Sequence, residues 1–282
     1  MRKFLKVGLT YVAVLLCALI LPAKRVQAQD CRLALLLALD VSSSVDETEY
    51  ALQRDGIAAA LLSEDVIAAI LGGGGYVALG VYEWSGRRQS HVVLDWVALR
   101  AHSDIVAAAD RIGRAERSFR RFPTALGYAL GFGAIMLKSA PPCARKVMDV
   151  SGDGITNDGF GPSLAYKHFP FEGVTVNGLA VLGADPMVED HFIFELQRGP
   201  GSFVETAQGY EGYRRAMERK LYREIESRIV GRAGCEVLLG SCRKPAIYGT
   251  RRYCFEGRSG FGLKILYDKD LRDVRTPSRP CA

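Results

Sequence analysis

The sequence lacks the motifs that identify the common hydrolases and nucleotide-binding proteins. Its 282 residues include four histidines, which are scattered along the chain, and no GxSxG motif is present. The glycine run at residues 72–75 has no Lys-Ser/Thr pair after it, so it is not a phosphate-binding loop. Because no nucleophile is paired with a base in the sequence, we expect a protein that is not an enzyme.

The common zinc and calcium motifs are missing as well. No CxxC pair and no Cys/His cluster has the spacing of a zinc site. The segment from Asp149 to Gly154 imitates the start of an EF-hand loop, but its twelfth position is Phe160, where that loop requires a Glu. These observations argue against a zinc finger and against an EF-hand.

The first 28 residues have the pattern of a secretory signal peptide. A basic segment, MRKFLK, precedes an apolar segment, VGLTYVAVLLCALILPA, and small residues lead to a cleavage site after Ala28. We therefore expect an exported protein, either periplasmic or secreted, without a stable transmembrane segment. The alternative is an uncleaved N-terminal helix that anchors the protein, since a spanning helix needs about 20 apolar residues and this run is nearly that long.

Loss of the signal peptide changes the charge of the chain. The full sequence has 37 Lys and Arg against 31 Asp and Glu, and the first 28 residues hold five of the basic residues, which leaves a net charge of +1. Residues 231–282 carry eleven basic and five acidic residues, so the basic charge is concentrated there. We expect no nucleic-acid partner, because a basic segment of an exported protein does not meet DNA.

Removal of Cys17 with the signal peptide leaves six cysteines, and an even number in an exported chain predicts disulfide bonds. Two of them, Cys31 and Cys143, lie in the main part of the chain. The other four lie in residues 231–282, which we interpret as a small, basic, cysteine-rich C-terminal extension, and their pairing stays open. These four are Cys235, Cys242, Cys254 and Cys281.

Apolar runs alternate with amphipathic segments in the main part of the chain. The predicted strands are residues 32–39, 76–84, 91–99, 144–154, 174–183 and 202–206, and the predicted helices are residues 46–62, 102–114, 125–138, 187–198 and 210–229. Uninterrupted apolar strands are typical of a parallel sheet that helices cover on both faces. We therefore predict an α/β fold with a doubly wound, mainly parallel six-stranded sheet and one antiparallel edge strand.

Polar residues follow two of the predicted strands and precede one predicted helix. Asp40, Ser42 and Ser44 follow the first strand, whereas Thr124 precedes a helix and Asp153 ends a later strand. In a doubly wound sheet such positions meet at the carboxyl edge, where ligands bind. Two carboxylates and three hydroxyls suit Mg²⁺, with Mn²⁺ or Ca²⁺ as alternatives. The other interpretation is that the first group only caps the following helix.

This arrangement resembles the metal-ion-dependent adhesion site (MIDAS) of von Willebrand factor A-type domains. The DxSxS motif that starts at Asp40, the separate Thr124 and the later Asp153 occur in the order that this family has. Residues 31–230 are also similar to an uncharacterised bacterial family of exported A-type domains. The motifs that carry this similarity are DVSSSVDETEYALQ, VYEWSG, TALGYALGF, VMDVSGDG, VNGLAVL and GPGSFVETAQGYEGYRRAMERKLYREI.

The resemblance implies an A-type domain at residues 29–230 in which the five polar residues hold a divalent cation. It also implies that a carboxylate of a partner completes the coordination of the metal. We therefore expect an exported, non-enzymatic binding or adhesion protein whose partner is a protein or a cell-envelope ligand. The alternatives are a metal-dependent hydrolase and a structural envelope protein in which the metal only ties loops together.

The resemblance has further implications for cysteines and for the rim of the site. The first and fourth strands of an A-type sheet are parallel neighbours, which implies a Cys31–Cys143 disulfide at their amino ends. Asp158 departs from the family pattern, which often has Asn-Asn after SGDG, and adds a carboxylate near the site. The candidate residues of the ligand rim are Glu83, Trp84, Asn157 and Asp158.

Overall fold

The computed structural model describes residues 30–226 and three further strands, Pro245–Tyr248, Arg251–Phe255 and Leu263–Ile265. These parts belong to two units, and each is described by itself. The predicted signal peptide lies outside the described residues, as do Cys235, Cys242 and Cys281, and the side chain of Cys254 is not described. The cleavage after Ala28 and the pairing of these four cysteines therefore stay predictions.

A six-stranded sheet forms the centre of the larger unit. Its strands are β1 (Cys31–Asp40), β2 (Tyr76–Trp84), β3 (Ser90–Leu99), β4 (Lys146–Gly152), β5 (Val174–Leu182) and β6 (Val204–Gln208). Their spatial order is β3-β2-β1-β4-β5-β6. Strand β3 is antiparallel to β2, and every other neighbouring pair is parallel. The predicted doubly wound sheet with one antiparallel edge strand is thereby confirmed.

Seven α-helices connect these strands within residues 30–226. They are α1 (Glu47–Leu61), α2 (Glu64–Gly72), α3 (His102–Gly113), α4 (Leu126–Lys138), α5 (Pro162–His168), α6 (Val188–His191) and α7 (Tyr213–Glu226). A π-helical turn, Phe192–Leu196, continues α6, and a 3₁₀ turn, Tyr210–Gly212, precedes α7. The sequence pattern does not predict α2 and α5, because helices of nine and seven residues are too short for a clear helical period.

Strand β1 lies in the middle of the core. Leu35 and Leu37 face one side of the sheet and pack under α1, α2, α3 and α7. Leu36 faces the other side, with Ala34 and Ala38, and packs under α4, α5 and α6. Burial of each such leucine contributes about 1.5–3 kcal/mol to folding. The unbroken apolar run of this strand therefore reflects two buried faces, and its carboxyl end lies at the centre of one sheet edge.

The predicted disulfide is present at the opposite end of β1. The Cα atoms of Cys31 and Cys143 lie 4.5 Å apart, and the bond joins residues that are 112 positions apart in the sequence. Next to it, Ala144 N donates a hydrogen bond to Cys31 O at 3.0 Å. The disulfide therefore links the start of β1 to the segment that leads into β4.

Helix α7 buries the predicted apolar stripe formed by Tyr213, Met217, Leu221 and Ile225. The last predicted member of the stripe, Ile229, lies outside the described residues. The same face of the helix also carries charged residues that are buried, a feature that the apolar pattern does not indicate.

These buried charges come from α7 and β4. The Nζ atom of Lys220 lies 2.6 Å from Asp149 Oδ1 and 2.6 Å from Glu224 Oε1. Asn177 of β5 donates a hydrogen bond to Glu224 Oε1 at 2.7 Å. Burial, and then the neighbouring Glu224, raise the pKa of Asp149. One lysine thus compensates two carboxylates in the core and ties α7 to the sheet.

The smaller described unit is a three-stranded antiparallel sheet. Its strands are β7 (Pro245–Tyr248), β8 (Arg251–Phe255) and β9 (Leu263–Ile265), with β8 in the middle. Across all of the described residues, none of the helices has the length and apolar character that a membrane span requires.

We expect the Cys31→Ser/Cys143→Ser double variant to lose about 2–5 kcal/mol of unfolding free energy, because the disulfide restricts a long loop in the unfolded chain. Chemical denaturation of the oxidised proteins measures this loss. Addition of a reductant should remove most of the difference between wild type and variant. Equal stability of the two oxidised proteins would contradict the expectation.

We expect Lys220→Met to lose about 3–5 kcal/mol, because it leaves two buried carboxylates without their cation. A raised carboxyl pKa contributes stability that is present at low pH and is lost as the pH rises through the folded pKa. The loss should therefore be larger at about pH 8 than at about pH 5 in denaturant titrations. Lys167→Met, at an exposed position of α5, is the control and should change stability little. A loss independent of pH would contradict the raised carboxyl pKa on which this expectation rests.

Candidate metal centre

The site begins at Asp40, the last residue of β1, whose side chain is fully buried. Ser42 N donates a hydrogen bond to Asp40 Oδ1 at 2.7 Å, which holds the turn that follows the strand. Gln53 of α1 donates to the main-chain carbonyl of Asp40 at 2.9 Å. These two bonds fix the carboxylate at the carboxyl edge of the sheet.

Three hydroxyls form a continuous chain beside this carboxylate. Thr124 Oγ1 donates to Ser42 Oγ at 3.3 Å, and Ser42 Oγ lies 3.1 Å from Ser44 Oγ. Ser44 Oγ donates to Asp153 Oδ1 at 2.8 Å. The structure therefore brings together all five residues that the sequence suggested as metal ligands, from three separate segments of the chain.

Main-chain hydrogen bonds place Thr124 in this chain of hydroxyls. Ser43 N donates to Phe122 O at 2.8 Å, just before Thr124 in the sequence. Asn157 Oδ1 accepts from Thr124 N at 2.8 Å, and Asn157 N donates back to Thr124 O at 3.0 Å. The loop after Asp153 therefore positions Thr124 through Asn157.

Asp158 follows in the same loop and has a partner of its own. Its Oδ1 accepts from Arg87 Nη2 at 2.7 Å and from Arg87 Nε at 2.9 Å. Asp158 N lies 3.3 Å from Thr124 O and donates to it. The extra carboxylate that departs from the family pattern is therefore engaged at the surface by an arginine.

Two of the candidate rim residues, Glu83 and Trp84, lie inside the protein and not at an exposed rim. Glu83 accepts hydrogen bonds from Tyr50 OH at 2.7 Å and from Ser118 N at 2.8 Å, and Trp84 is buried. Strand β2 is covered on both faces, so its last residues stay in the core. Glu83 instead holds α1 and the loop before Thr124 together.

The helix after the DxSxS motif is capped by Asp46 and not by the serines of the motif. This residue is the N-cap of α1, where its side chain accepts from Glu49 N and the Glu49 side chain accepts from Asp46 N, each at 2.8 Å. Ser44 is directed to Asp153 instead. The helix therefore has its own capping box, and the hydroxyl of Ser44 is left for the site.

The two carboxylates of the site are buried without sufficient compensation. Burial, and then the neighbouring Asp153, raise the pKa of Asp40 to about 7. Burial also raises the pKa of Asp153. Within the described part of the chain, Asp40 Oδ2 and Asp153 Oδ2 are buried and have no hydrogen-bond partner. A cation at this position would compensate both groups.

Arg117 is a buried cation beside this site, but its guanidinium hydrogen-bonds to main-chain carbonyls and, through Nη1, to Glu47 Oε1 at 3.4 Å. Its Nη2 atom donates to Val41 O at 3.1 Å and to Ser42 O at 2.9 Å. Among the influences on the pKa of Asp40, this arginine is the weakest. It therefore shapes the loop after β1 and leaves the carboxylate oxygens free for another cation.

The residues present fit a small divalent cation. All five candidates offer oxygen, the donor that Mg²⁺ prefers. A Cβ atom added to Gly152 would lie 3.0 Å from Asp40 Oδ2, so this glycine leaves room beside the free oxygen. Within residues 30–226, no group of three or more His, Cys, Asp or Glu side chains is placed to hold a metal. The site depends on hydroxyls to complete its donor set.

Gln53 is a supporting residue that the sequence pattern does not single out. It is fully buried, and its Oε1 accepts from Ser151 Oγ at 3.2 Å while its amide holds the carbonyl of Asp40. Its position between Tyr50 and Ile57 on the buried stripe of α1 is the only signal in the sequence, because a polar residue on such a stripe needs internal partners.

Comparison with known proteins gives one family and several related folds. Residues 30–229 match the family described as "Protein of unknown function (DUF1194)". No curated protein is similar to the sequence at a significant level.

Among solved structures, proximal thread matrix protein 1 from the mussel byssus is 14% identical with a TM-score of 0.50 and covers 70% of this chain. Its structure with a zinc-occupied MIDAS motif is 17% identical with a TM-score of 0.50 and covers 71% of this chain. A mutant of the PilB minor pilin from Streptococcus sanguinis is 13% identical with a TM-score of 0.51 and covers 72%.

The matched region is only part of each of these proteins, because this chain covers 47% of the mussel protein and 63% of the pilin. At such low identities the similarity shows the fold alone, which is von Willebrand factor A-like. Because the family match covers residues 30–229, well over half of the sequence, the chain belongs to the DUF1194 family.

Proposed function

We propose that this protein is an exported, non-enzymatic binding protein that engages a partner through a divalent cation. The ion is held by Asp40, Ser42, Ser44, Thr124 and Asp153. The observation that carries the proposal is the pair of buried carboxylate oxygens without partners, Asp40 Oδ2 and Asp153 Oδ2, beside a chain of three hydroxyls.

Mg²⁺ is the ion that we propose, with Mn²⁺ and Ca²⁺ as alternatives. Mg²⁺ binds oxygen donors in octahedral geometry and is usually held by one or two carboxylates. Two carboxylates balance its charge, and the neutral hydroxyls add none, so the ion keeps an affinity for a further anionic ligand. The likeness to a structure with a zinc-occupied MIDAS motif supports a divalent cation without deciding which one.

A carboxylate of a protein or of a cell-envelope component is the partner group that we propose. Asp40, Ser42, Thr124 and Asp153 are buried, whereas Ser44 is exposed. Access from solvent is therefore from the side of Ser44, and a partner's carboxylate approaches the ion there. The likeness to a structure that contains a MIDAS motif, a site named for adhesion, supports a binding role.

The alternative of a metal-dependent hydrolase has less support. His191 is the histidine that contacts the loop after Asp153, and its Nε2 lies 3.2 Å from Thr156 Oγ1 and accepts from Thr156 N at 3.3 Å. It is engaged with this loop and is not paired with Ser42 or Ser44. The three hydroxyls hydrogen-bond to one another and to Asp153, and such bonds suit ligands better than nucleophiles.

We expect Asp40→Asn to raise the melting temperature of the metal-free protein at about pH 8, because it removes one of two buried negative charges. For a domain of this size, each kcal/mol of added unfolding free energy should raise the melting temperature by about 2–4 °C. Mg²⁺ should raise the melting temperature of wild type and leave that of the variant unchanged. Asp158→Asn, next to the site but paired with Arg87, is the control and should keep the Mg²⁺ response. An equal response of Asp40→Asn and wild type would contradict the metal site.

We expect the immobilised full chain to retain a protein or envelope component from cell-envelope extracts in Mg²⁺ and to release it when EDTA is added. Asp40→Asn should retain none of it, because Asp40 is one of the residues that would hold the ion. Asp95→Asn, which changes an exposed carboxylate on β3, should behave as wild type. Retention that is insensitive to EDTA, or turnover of a small substrate by the purified protein, would overturn the proposal.

A further inference from the structure

Tyr210 is a buried tyrosine whose hydroxyl has no partner within the described part of the chain. It is the first residue of the 3₁₀ turn between β6 and α7. Because β6 is parallel to β5, this turn lies at the carboxyl edge of the sheet, the edge that carries the metal centre. Gly209 N donates to Leu182 O at 3.1 Å and anchors the turn to the end of β5.

The ring of Tyr210 packs in the core beside Tyr213, whose own hydroxyl reaches Ser151 near the end of β4, so Tyr210 lies at the edge that carries the metal centre. The ring stacks near Tyr213, with centroids 6.1 Å apart and planes 18° apart. Burial, and then the charges of Asp153 and Asp40, raise the pKa of Tyr210, so its hydroxyl lies within the electrostatic reach of both carboxylates. At neutral pH the hydroxyl therefore keeps its proton and is a hydrogen-bond donor.

Donors and acceptors without partners are thus gathered at one place. Tyr210 OH is a donor, Asp40 Oδ2 and Asp153 Oδ2 are acceptors, and all three are buried. A buried polar group without a partner destabilises the folded protein, and native proteins tolerate few of them. Three such groups near one another indicate that the functional state contains something that satisfies all of them.

A direct bond between these groups does not explain the arrangement. None of the three atoms hydrogen-bonds another, so the hydroxyl lies beyond hydrogen-bond distance of both carboxylate oxygens. Water or a hydrated ion can bridge polar groups that are separated in this way. Mg²⁺ usually keeps several of its waters when proteins bind it.

We propose that the hydroxyl of Tyr210 donates a hydrogen bond into the hydration shell of the cation at this site and is a positioning residue for the metal. This inference rests on the proposed function, since it assumes that the site holds a divalent cation. The direct ligands come from the loops after β1 and β4 and from Thr124, whereas Tyr210 adds a fourth segment, the turn before α7. Such residues around a metal centre typically change the affinity for the metal by about 10–100-fold.

Tyr210→Phe tests the inference by calorimetric titration with Mg²⁺ or Mn²⁺ and by thermal melting in EDTA. The variant should bind the ion at least about 10-fold more weakly than wild type. Its melting temperature in EDTA should be equal to that of wild type or higher, because the removed hydroxyl has no partner in the metal-free protein. Metal binding should change the near-ultraviolet tyrosine absorption of wild type, and this change should be reduced in the variant.

Tyr213→Phe is the matched control. Its hydroxyl donates to Ser151 Oγ at 3.0 Å, so its removal should lower the melting temperature in EDTA and leave the metal affinity unchanged. If wild type binds metal and Tyr210→Phe binds it equally well, the inference on Tyr210 is wrong while the proposed function stands. If Tyr210→Phe melts as low in EDTA as Tyr213→Phe, the hydroxyl has a packing role and the inference is wrong. If wild type binds neither ion, the proposed function and the inference both fail.

Discussion

The pairing of β1 with β4 is the constraint on which the rest of the structure depends. The two strands are parallel and in register from Ala34 opposite Lys146 to Leu39 opposite Ser151. Just beyond one end of this ladder, the loop after β1 meets Asp153. Just before the other end, a disulfide joins the two segments. A shift of one residue would turn every side chain of β1 to the other face, so the core and the site depend on the same register.

The protein compensates its buried carboxylates in two different ways. Asp149 has Lys220 within 2.6 Å, so an internal cation stabilises it. Asp40 and Asp153, at the carboxyl ends of β1 and β4, have no lysine or arginine on their free oxygens in the described residues. Arg117 lies close by, but it donates to main-chain carbonyls. The contrast shows that the fold is able to supply an internal cation and does not do so here, which supports an ion from solution.

The sequence predicts the sheet and the cluster of polar residues well, because both follow from patterns along single elements. Apolar runs define the strands, and the polar residues stand at strand ends whose spatial order an α/β fold dictates. Features that depend on packing between elements are not predicted in the same way. In the sequence, Glu83 and Trp84 look like rim residues because they end a strand. They are buried because both faces of β2 are covered by other elements. Lys220 and Gln53 stand beside apolar stripes, and their partners on other elements cannot be read from their own helices.

The burial of the candidate ligands connects the stability of the folded protein with the binding of the proposed ion. Four of the five candidate ligands are buried. The carboxylate oxygens among them that lack a partner therefore lower the stability of the folded protein before any ion binds. An ion that binds only the folded state would raise the stability again. Ser44 is the exposed member, whereas Tyr210 is buried. A partner of the proposed ion would therefore approach it from the side of Ser44.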